Sequence, residues 1–431
     1  MELKTTSPSA SLSLPNNRKG ASWSGCAFIV ALLLYATLSG PFPAQPGMQE
    51  GLIAVLLIGF VSLPLGMLVM CGGFSIYEKF QTVPVWLHIS FFLLFWLGLY
   101  NGGVINGWGM TDIVRDAIPC LYLFLPILLL PVMRKSNLDW LRILPWVLAA
   151  VGVILSIRFF MTIHASPLDV GKMHFFDNFL YLPYDPSVVF ASIFLPIMAI
   201  HTWRSRPLHW GLSLLMVVGG LVALSSLMAV AQRAPIALTF LCYVVYCIAI
   251  SRKSFAKLLL LVLVWAGILY FAQDQISGSY GLLAEKQQEF GSNGKLDELH
   301  SVLRETSHSG FAMLFGMGWG GLFSDPAVKG VRVSYTHSAV TFFLLKAGIV
   351  GLSLFLLYIA WVVYRALRFF RSGHLPLMLS LTVPLIIGLL FQVSYKTLTF
   401  GIILTMFCLF AESRRQAYGQ NQSTTWGREY A

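Results

Sequence analysis

The sequence predicts an all-α polytopic membrane protein. Only 11% of the 431 residues are charged and 57% are hydrophobic, whereas about a quarter of the residues of a soluble globular domain are charged. Long uncharged apolar stretches recur along most of the chain, and a helix needs roughly 20 mostly apolar residues to cross a bilayer. The net charge of +11 is therefore interpreted as a signal of membrane orientation, and we expect no nucleic acid partner.

About twelve stretches are apolar enough to be transmembrane helices. The predicted spans are 22–40, 51–72, 84–101, 117–133, 143–162, 186–202, 209–228, 234–250, 258–273, 347–364, 375–393 and 397–411.

The distribution of Lys and Arg orients these spans. An even number of spans places both termini on one side of the membrane. The segments that join spans on that side are short and basic, as at 134–142, 252–257 and 365–371. Because cytoplasmic loops carry the excess of Lys and Arg, both termini are assigned to the cytoplasm. Residues 1–431 then form a single integral membrane domain.

Two outer segments are long, 163–185 and 274–336, and non-spanning chain of that length is usually functional. The shorter segment is rich in aromatic residues, which favours either an interfacial belt or a stacking platform for sugar rings or a lid over a substrate. These residues are Phe175, Phe176, Phe179, Tyr181 and Tyr184. The longer segment is expected to pack on the outer ends of the spans, with one or two amphipathic helices between Leu296 and Phe315.

A glycine-rich run, Gly316-Met-Gly-Trp-Gly-Gly321, follows these predicted helices. It matches G-x-G-x-x-G, but no strand precedes it and no βαβ unit surrounds it, so the dinucleotide-binding interpretation fails on context. Its glycines are expected to form a tight turn that lets the backbone approach a helix or a substrate closely. Trp319 and Gly320 are therefore candidate substrate-binding residues.

Basic residues at the outer ends of spans are candidates for a functional site, because an ionisable group in or near the membrane is costly. They are Arg158, Arg233, Lys346 and Lys396. Arg233 lies in Ala229-Val-Ala-Gln-Arg-Ala-Pro235, which is the whole connection between two spans. It either anchors a helix end at the lipid headgroups or binds an anion, since a guanidinium contacts phosphate oxygens through two hydrogen bonds.

The long outer segment carries further candidates. Arg304 belongs to a solvated helix face, pairs with Glu305 or Glu298, or binds an anion. His337, in Tyr335-Thr-His-Ser-Ala339, either makes a structural hydrogen bond or accepts a proton, a role that suits histidine near neutral pH. Tyr335 beside it is a candidate substrate-binding residue.

Missing motifs limit the chemistry. The sequence has no GxxxxGK[ST] phosphate loop, no HExxH, no CxxC and no Asp-x-Asp, so neither a metal site nor a cofactor is expected. The six cysteines all lie in apolar stretches, which does not fit a disulfide framework.

The stretch from His337 to Gly351 resembles the signature of the O-antigen ligase and polymerase superfamily. It reads His337-Ser-Ala-Val-Thr-Phe-Phe-Leu-Leu-Lys-Ala-Gly348-Ile-Val-Gly351, a histidine that ends a large outer segment followed by G-x-x-G in the next span. Arg233 at the outer end of a mid-chain span and Arg304 shortly before a glycine-rich turn agree with this resemblance. The likeness covers the whole chain in topology and about 225–355 at the level of residues. Gln232 departs from it, because the family often has a small hydroxylic residue there.

The resemblance implies a multi-span, lipid-donor glycosyltransferase of the O-antigen ligase type on the periplasmic face of the bacterial inner membrane. Such an enzyme transfers a polysaccharide from undecaprenyl diphosphate to the lipid A-core oligosaccharide, with inversion and without metal. It implies that His337, Arg233 and Arg304 are catalytic. Because Arg158 and Lys346 are also basic residues at the outer ends of spans, we expect one of them to help bind the diphosphate. Membrane lipid, the O-antigen polymerase and a chain-length regulator are the other partners that the resemblance suggests.

Other functions remain open at the level of sequence. An O-antigen polymerase or a protein O-oligosaccharyltransferase would use the same donor with a different acceptor. A polytopic transporter of lipid-linked sugar would show ionisable residues in mid-span or an internal repeat, and the sequence shows neither pattern.

Overall fold

The computed structural model describes residues 20–40, 48–61, 66, 69–70, 84–136, 138–172, 180–205, 210–251, 278, 281, 284, 295–326, 330–370 and 375–410. This part of the chain is mostly helical. Its principal helices are α1 Gly20–Leu38, α2 Met48–Val61, α3 Val85–Tyr100, α4 Met110–Leu123, α5 Leu125–Lys135, α6 Trp140–Thr162, α7 Pro186–Ser205, α8 Trp210–Ala229, α9 Arg233–Ser251, α10 Lys295–Thr306, α11 Gly310–Phe315, α12 Ala339–Phe370, α13 Leu375–Leu390 and α14 Leu398–Phe410. A π-helical turn, Asn101–Ile105, continues α3, and 3-10 turns occur at Pro167–Lys172, Leu182–Tyr184 and Val393–Lys396.

Several helices have the length and apolar composition of transmembrane helices. Within the described residues, five are long and apolar enough to cross a bilayer: Val85–Ile105, Trp140–Thr162, Trp210–Ala229, Arg233–Ile250 and Ala339–Arg365. The pair α4 and α5 adds a sixth if it forms one span bent by 45°. The fold is thus that of an all-α polytopic membrane protein, the class that the low charge fraction predicts.

The predicted spans coincide with helices wherever the structure describes them, although the second is described as a continuous helix only over Met48–Val61. The predicted span 258–273 lies outside the described residues. The fourth span bends between α4 and α5 because Pro126, near the start of α5, has no N–H to donate to the carbonyl of Tyr122.

The tenth span differs from its prediction at its outer end. The helix begins at Ala339 and is broken at Gly348, whose φ of 64° and ψ of −163° lie in a region that essentially only glycine adopts. The break takes the carbonyls of Leu345 and Lys346 out of the regular helical pattern. They accept hydrogen bonds of 2.8 and 2.9 Å from the N–H groups of Met317 and Gly318.

The glycine-rich turn at 316–321 is therefore an internal part of the bundle. Gly316, Gly318 and Gly320 have φ values of 75°, 75° and 93°, which is the tight turn that the sequence predicts. A Cβ at Gly316 would overlap the backbone of Lys346 and Ala347, and one at Gly348 would overlap Leu314. The two glycines allow the turn and the broken helix to lie in direct backbone contact.

The same turn also packs on α3. The Trp319 backbone N–H donates to the carbonyl of Gly98 at 2.9 Å, and its indole N–H donates to the carbonyl of Phe95 at 3.0 Å. A Cβ at Gly98 would overlap this indole, and one at Gly102 would overlap the Trp319 carbonyl. The turn consequently fastens α3 to α12.

The segment 274–336 contains two helices in its described part, α10 and α11, where the sequence predicts one or two. It also contains a hairpin of two three-residue strands, β1 Phe323–Asp325 and β2 Val331–Val333, paired antiparallel. Three residues are too few for the alternating pattern that would have predicted a strand. Both helices, α10 and α11, contact α12.

We expect Gly348→Ala to destabilise the protein by about 2 kcal/mol or more, because alanine is strained at this backbone conformation and its Cβ has no room. Gly59→Ala is the matched control: Gly59 lies within α2 with no atom near the added Cβ, and alanine favours helix by about 1 kcal/mol. Thermal unfolding of both variants in detergent tests this. Equal melting temperatures would contradict it.

Candidate functional site

A histidine and a carboxylate meet where the long outer segment joins α12. The Nδ1 atom of His337 lies 2.5 Å from Oε2 of Glu298, and the backbone N–H of His337 contacts both carboxylate oxygens at 3.1 and 3.0 Å. Thr341 donates its hydroxyl to Oε1 at 2.9 Å. Glu298 is almost fully buried, whereas 26% of the His337 side chain is exposed. The carboxylate thus holds one side of an imidazole that remains accessible.

Local structure places both partners. Glu298 lies on the face of α10 that packs inward with Ser301 and Val302. His337 directly precedes Ser338, whose hydroxyl accepts a hydrogen bond from the Thr341 N–H at 3.1 Å and so caps the start of α12. The histidine backbone is therefore fixed at a helix N-terminus, facing the buried side of α10.

Opposing effects act on the Glu298 carboxyl. Its burial raises the pKa, and the hydrogen bonds from His337 and Thr341 more than offset this effect, so the pKa lies below its usual range. Glu298 is consequently ionised near neutral pH. An ionised carboxylate on Nδ1 favours the tautomer with the proton on Nδ1, which leaves Nε2 as an acceptor.

Aromatic side chains flank the histidine. The rings of Tyr335 and His337 lie edge to face at 6.3 Å. Tyr181, from the shorter outer segment, is close enough to Tyr335 to interact electrostatically, and burial is the main cause that raises the pKa of Tyr335. The shorter segment therefore reaches the neighbourhood of His337. Its residues Phe175, Phe176 and Phe179 lie outside the described residues.

Arg233 begins α9 and is connected to the same region through its neighbour. The buried side chain of Gln232 donates to the carbonyl of Pro183 at 2.9 Å and accepts from Gln392 at 2.9 Å. The hydroxyl of Tyr395, three residues after Gln392, donates to the carbonyl of Thr336 at 3.3 Å. The segment between α13 and α14 thus contacts the residues next to both Arg233 and His337. Gln232, where the sequence departs from the family pattern, thus makes the contact between the start of α9 and this segment.

Arg304 lies on another face of α10. Six residues separate it from Glu298, which places the two side chains about 120° apart around the helix axis. Arg304 is exposed and lines a hollow of about 220 Å³ together with Leu303, Met313 and Ile349. Neither predicted ion pair forms within the described residues, because Glu298 binds His337 and Glu305 binds Arg332 at 3.1 Å.

Arg158 and Lys346, the two further residues predicted to bind the diphosphate, both make contacts within the protein. Arg158 donates to the carbonyls of Ala36 and Ser39, both at 2.8 Å, and so ties α6 to the end of α1. Lys346 is fully buried and binds the Asp116 carboxylate and the carbonyl of Gly321. Both cations therefore have partners within the protein, and their role in substrate binding stays a prediction.

Trp319 and Gly320 are also parts of the interior. Trp319 is fully buried between α3 and Phe342, and the Gly320 N–H donates to Asp116 at 2.9 Å. The expectation that they contact substrate does not fit this placement. The glycines predict that the backbone of the turn approaches a helix or a substrate closely. In the structure it lies against α3 and α12.

Comparison with protein-family models and with curated protein sequences finds no match for this chain.

Glu298 is the site residue that sequence reasoning missed as a partner of His337. The two residues are 39 positions apart and share no motif. The one signal in the sequence is that Glu298 falls among the inward-facing positions of α10, where a charged residue is unusual unless it has a partner.

We expect Glu298→Gln to lower the melting temperature near neutral pH, because the amide cannot accept all the hydrogen bonds that converge on the carboxylate. A buried group left unsatisfied costs about 1–3 kcal/mol. Since the folded pKa of Glu298 is lowered, the stabilisation is present above its ordinary pKa of about 4.3 and is lost as the pH falls through the lower folded value.

Asp297→Asn is the control, because Asp297 is the adjacent carboxylate on the exposed face of α10. The test measures the melting temperatures of both variants by thermal unfolding across a pH series. A Glu298→Gln variant as stable as Asp297→Asn at pH 7 would contradict the assigned network.

Proposed function

We propose that this protein is a glycosyltransferase of the O-antigen ligase type, which transfers a polysaccharide from undecaprenyl diphosphate to the lipid A-core oligosaccharide. The observation that carries the proposal is the His337 imidazole, held on Nδ1 by a buried carboxylate and accessible on its other side. The resemblance of the stretch from His337 to Gly351 supplies the substrate class. We expect inversion at the anomeric carbon and no requirement for metal.

In the proposed reaction, Nε2 of His337 accepts the proton of the attacking sugar hydroxyl. The hydroxyl oxygen bonds to the anomeric carbon of the donor as the bond between that carbon and the phosphate oxygen breaks. The diphosphate leaves with the electron pair. Glu298 stabilises the imidazolium that forms, as the carboxylate of a catalytic triad does.

As the bond to the sugar breaks, negative charge grows on the diphosphate, and nearby cations must stabilise it. Arg233 is the candidate that the structure supports best, because its neighbour Gln232 and the carbonyl next to His337 both contact the segment between α13 and α14. Arg304, on the exposed face of α10 above an apolar hollow, is suited to a phosphate whose lipid chain remains in the membrane. Each hydrogen-bond donor placed around such a charge raises the reaction rate by a factor of about 10²–10³.

The proposal includes a topology of about twelve spans, with both termini in the cytoplasm and residues 274–336 in the periplasm of the inner membrane. The agreement between predicted spans and described helices supports it, as does the basic character of the short inner segments. On this topology the His337 region lies at the outer surface, where lipid-linked donor and lipid A-core are both present.

An O-antigen polymerase or a protein O-oligosaccharyltransferase would use the same donor and the same residues, and the acceptor separates these functions. Purified protein is therefore supplied with labelled lipid-linked polysaccharide and with either lipid A-core, donor alone or a pilin. Transfer to donor or pilin but not to lipid A-core would overturn the ligase assignment.

We expect His337→Gln and Arg233→Ala to lower the transfer rate to lipid A-core by at least about a hundredfold. Glutamine preserves a hydrogen-bonding group at position 337 but cannot accept the proton, so a nearly normal rate in His337→Gln would indicate that the histidine only orients substrate. Reactions with EDTA test the expected independence from metal.

Two matched controls lie on the same outer segment. His308→Ala removes an exposed histidine and Arg332→Gln removes an arginine that is paired with Glu305. Both should transfer at wild-type rates. Wild-type activity in His337→Ala or Arg233→Ala would sink the proposed roles.

A further inference from the structure

Lys396 is the cation of the turn between α13 and α14, and its position connects it to the proposed site. The turn Val393–Lys396 lies between Gln392, which contacts the neighbour of Arg233, and α14. Tyr395 beside Lys396 contacts the residue before His337. Lys396 therefore lies on the segment that joins the surroundings of both proposed catalytic residues.

Lys396 is half-buried, and its ammonium group forms no ion pair among the described residues. Its Nζ lies 4.4 Å from the centroid of the Phe342 ring, a cation–π contact. In the described part of the chain no carboxylate lies within ion-pair distance and no oxygen accepts a hydrogen bond from it. Lys346, whose Nζ lies 5.7 Å from the centroid of the same ring, binds Oδ2 of Asp116.

Arg115 adds further unused hydrogen-bond donors to this cluster. One terminal nitrogen binds Asp112 at 2.8 Å, and Nε lies 3.7 Å from Asp116, which is beyond hydrogen-bond distance. The buried Nε and Nη2 atoms have no hydrogen-bond partner in the described structure. Around Asp116, then, lie three cations, of which Arg115 and Lys396 retain N–H groups without acceptors.

The electrostatics of Lys396 agree with this geometry. The pKa of its ammonium is lowered to about 7, mainly by burial; the charge of Asp116 opposes this effect, and the positive charges of Lys346 and Arg115 act in the same direction as burial. A half-buried cation with too few counter-charges is costly unless an anion supplies the missing charge and acceptors.

We propose that Lys396 and Arg115 bind a phosphate group, and specifically the diphosphate of the lipid-linked donor, an assignment that rests on the proposed function. The cluster sets three cations against the carboxylates of Asp112 and Asp116, and Arg115 has N–H donors without acceptors in the described structure. Lys396 lies on the segment that contacts the neighbours of Arg233 and His337. Lys396 thus takes the role that the sequence alone suggested for Arg158 or Lys346.

The test measures binding of inorganic pyrophosphate to the purified full-length protein in detergent by calorimetry. Lys396→Met should bind about ten- to hundredfold more weakly, the usual loss for a hydrogen bond to a charged group. Lys396→Arg should bind nearly as well as the wild type, because it keeps the charge. Arg332→Gln, which removes an outer cation that already has a partner, is the control and should bind normally.

Melting temperatures without ligand separate a binding role from a structural one. Lys396→Met should be as stable as the wild type or more stable, because it removes a charge without a partner. Lys346→Met should lose stability, since it leaves Asp116 buried and unpaired. Equal pyrophosphate affinity in Lys396→Met and wild type, or a loss of stability as large as in Lys346→Met, would overturn the assignment.

Competition distinguishes the two sources of a phosphate group. Undecaprenyl diphosphate should displace pyrophosphate at far lower concentration than phosphatidylglycerol does, and equal displacement would indicate a phospholipid headgroup site and overturn the donor assignment. If pyrophosphate binding depends on Lys396 but the wild type transfers no sugar, the proposed function fails and the anion site remains. If transfer occurs and Lys396→Met binds normally, only this inference fails.

Discussion

The contact between the broken helix α12 and the glycine-rich turn is the constraint on which the rest of the structure depends. Helix backbone that is interrupted at membrane depth is tolerated only where protein supplies the missing hydrogen bonds. Here Met317 and Gly318 donate to the carbonyls released by the break at Gly348. The turn supplies the donors that the broken helix needs, and the carbonyls released by the break hold the turn in place.

This contact explains why a fully buried ion pair is present. The turn that reaches into the bundle brings the Gly320 N–H and the Gly321 carbonyl into the interior, where polar groups need partners. Asp116 accepts from Gly320 and Lys346, and Lys346 also donates to Gly321. The pair supplies partners for the backbone of the turn and for the ammonium of Lys346, while Oδ1 of Asp116 has no hydrogen-bond partner in the described structure.

The site around His337 follows from the same arrangement. Because α12 starts at Ala339, directly after His337, the histidine is fixed at a helix N-terminus against the buried face of α10. The turn between α13 and α14 then connects Gln232, Thr336 and Lys396 in one region. Rigid helix ends rather than a flexible loop therefore position the groups that the proposed reaction needs, which is how a site maintains productive geometry.

The sequence by itself determined the class of the fold, the position of most described helices, the tight glycine turn and the candidates His337 and Arg233. These features depend on local composition and on hydrophobic length, which a bilayer converts directly into helices. It did not determine the partner of His337, the break at Gly348 or which basic residues are already paired. Lys346, Arg158 and Lys396 look alike in the sequence, as basic residues at the ends of apolar runs. Only the tertiary structure distinguishes their contacts, because the partners of a cation are carboxylates, carbonyls and rings that distant parts of the chain bring beside it.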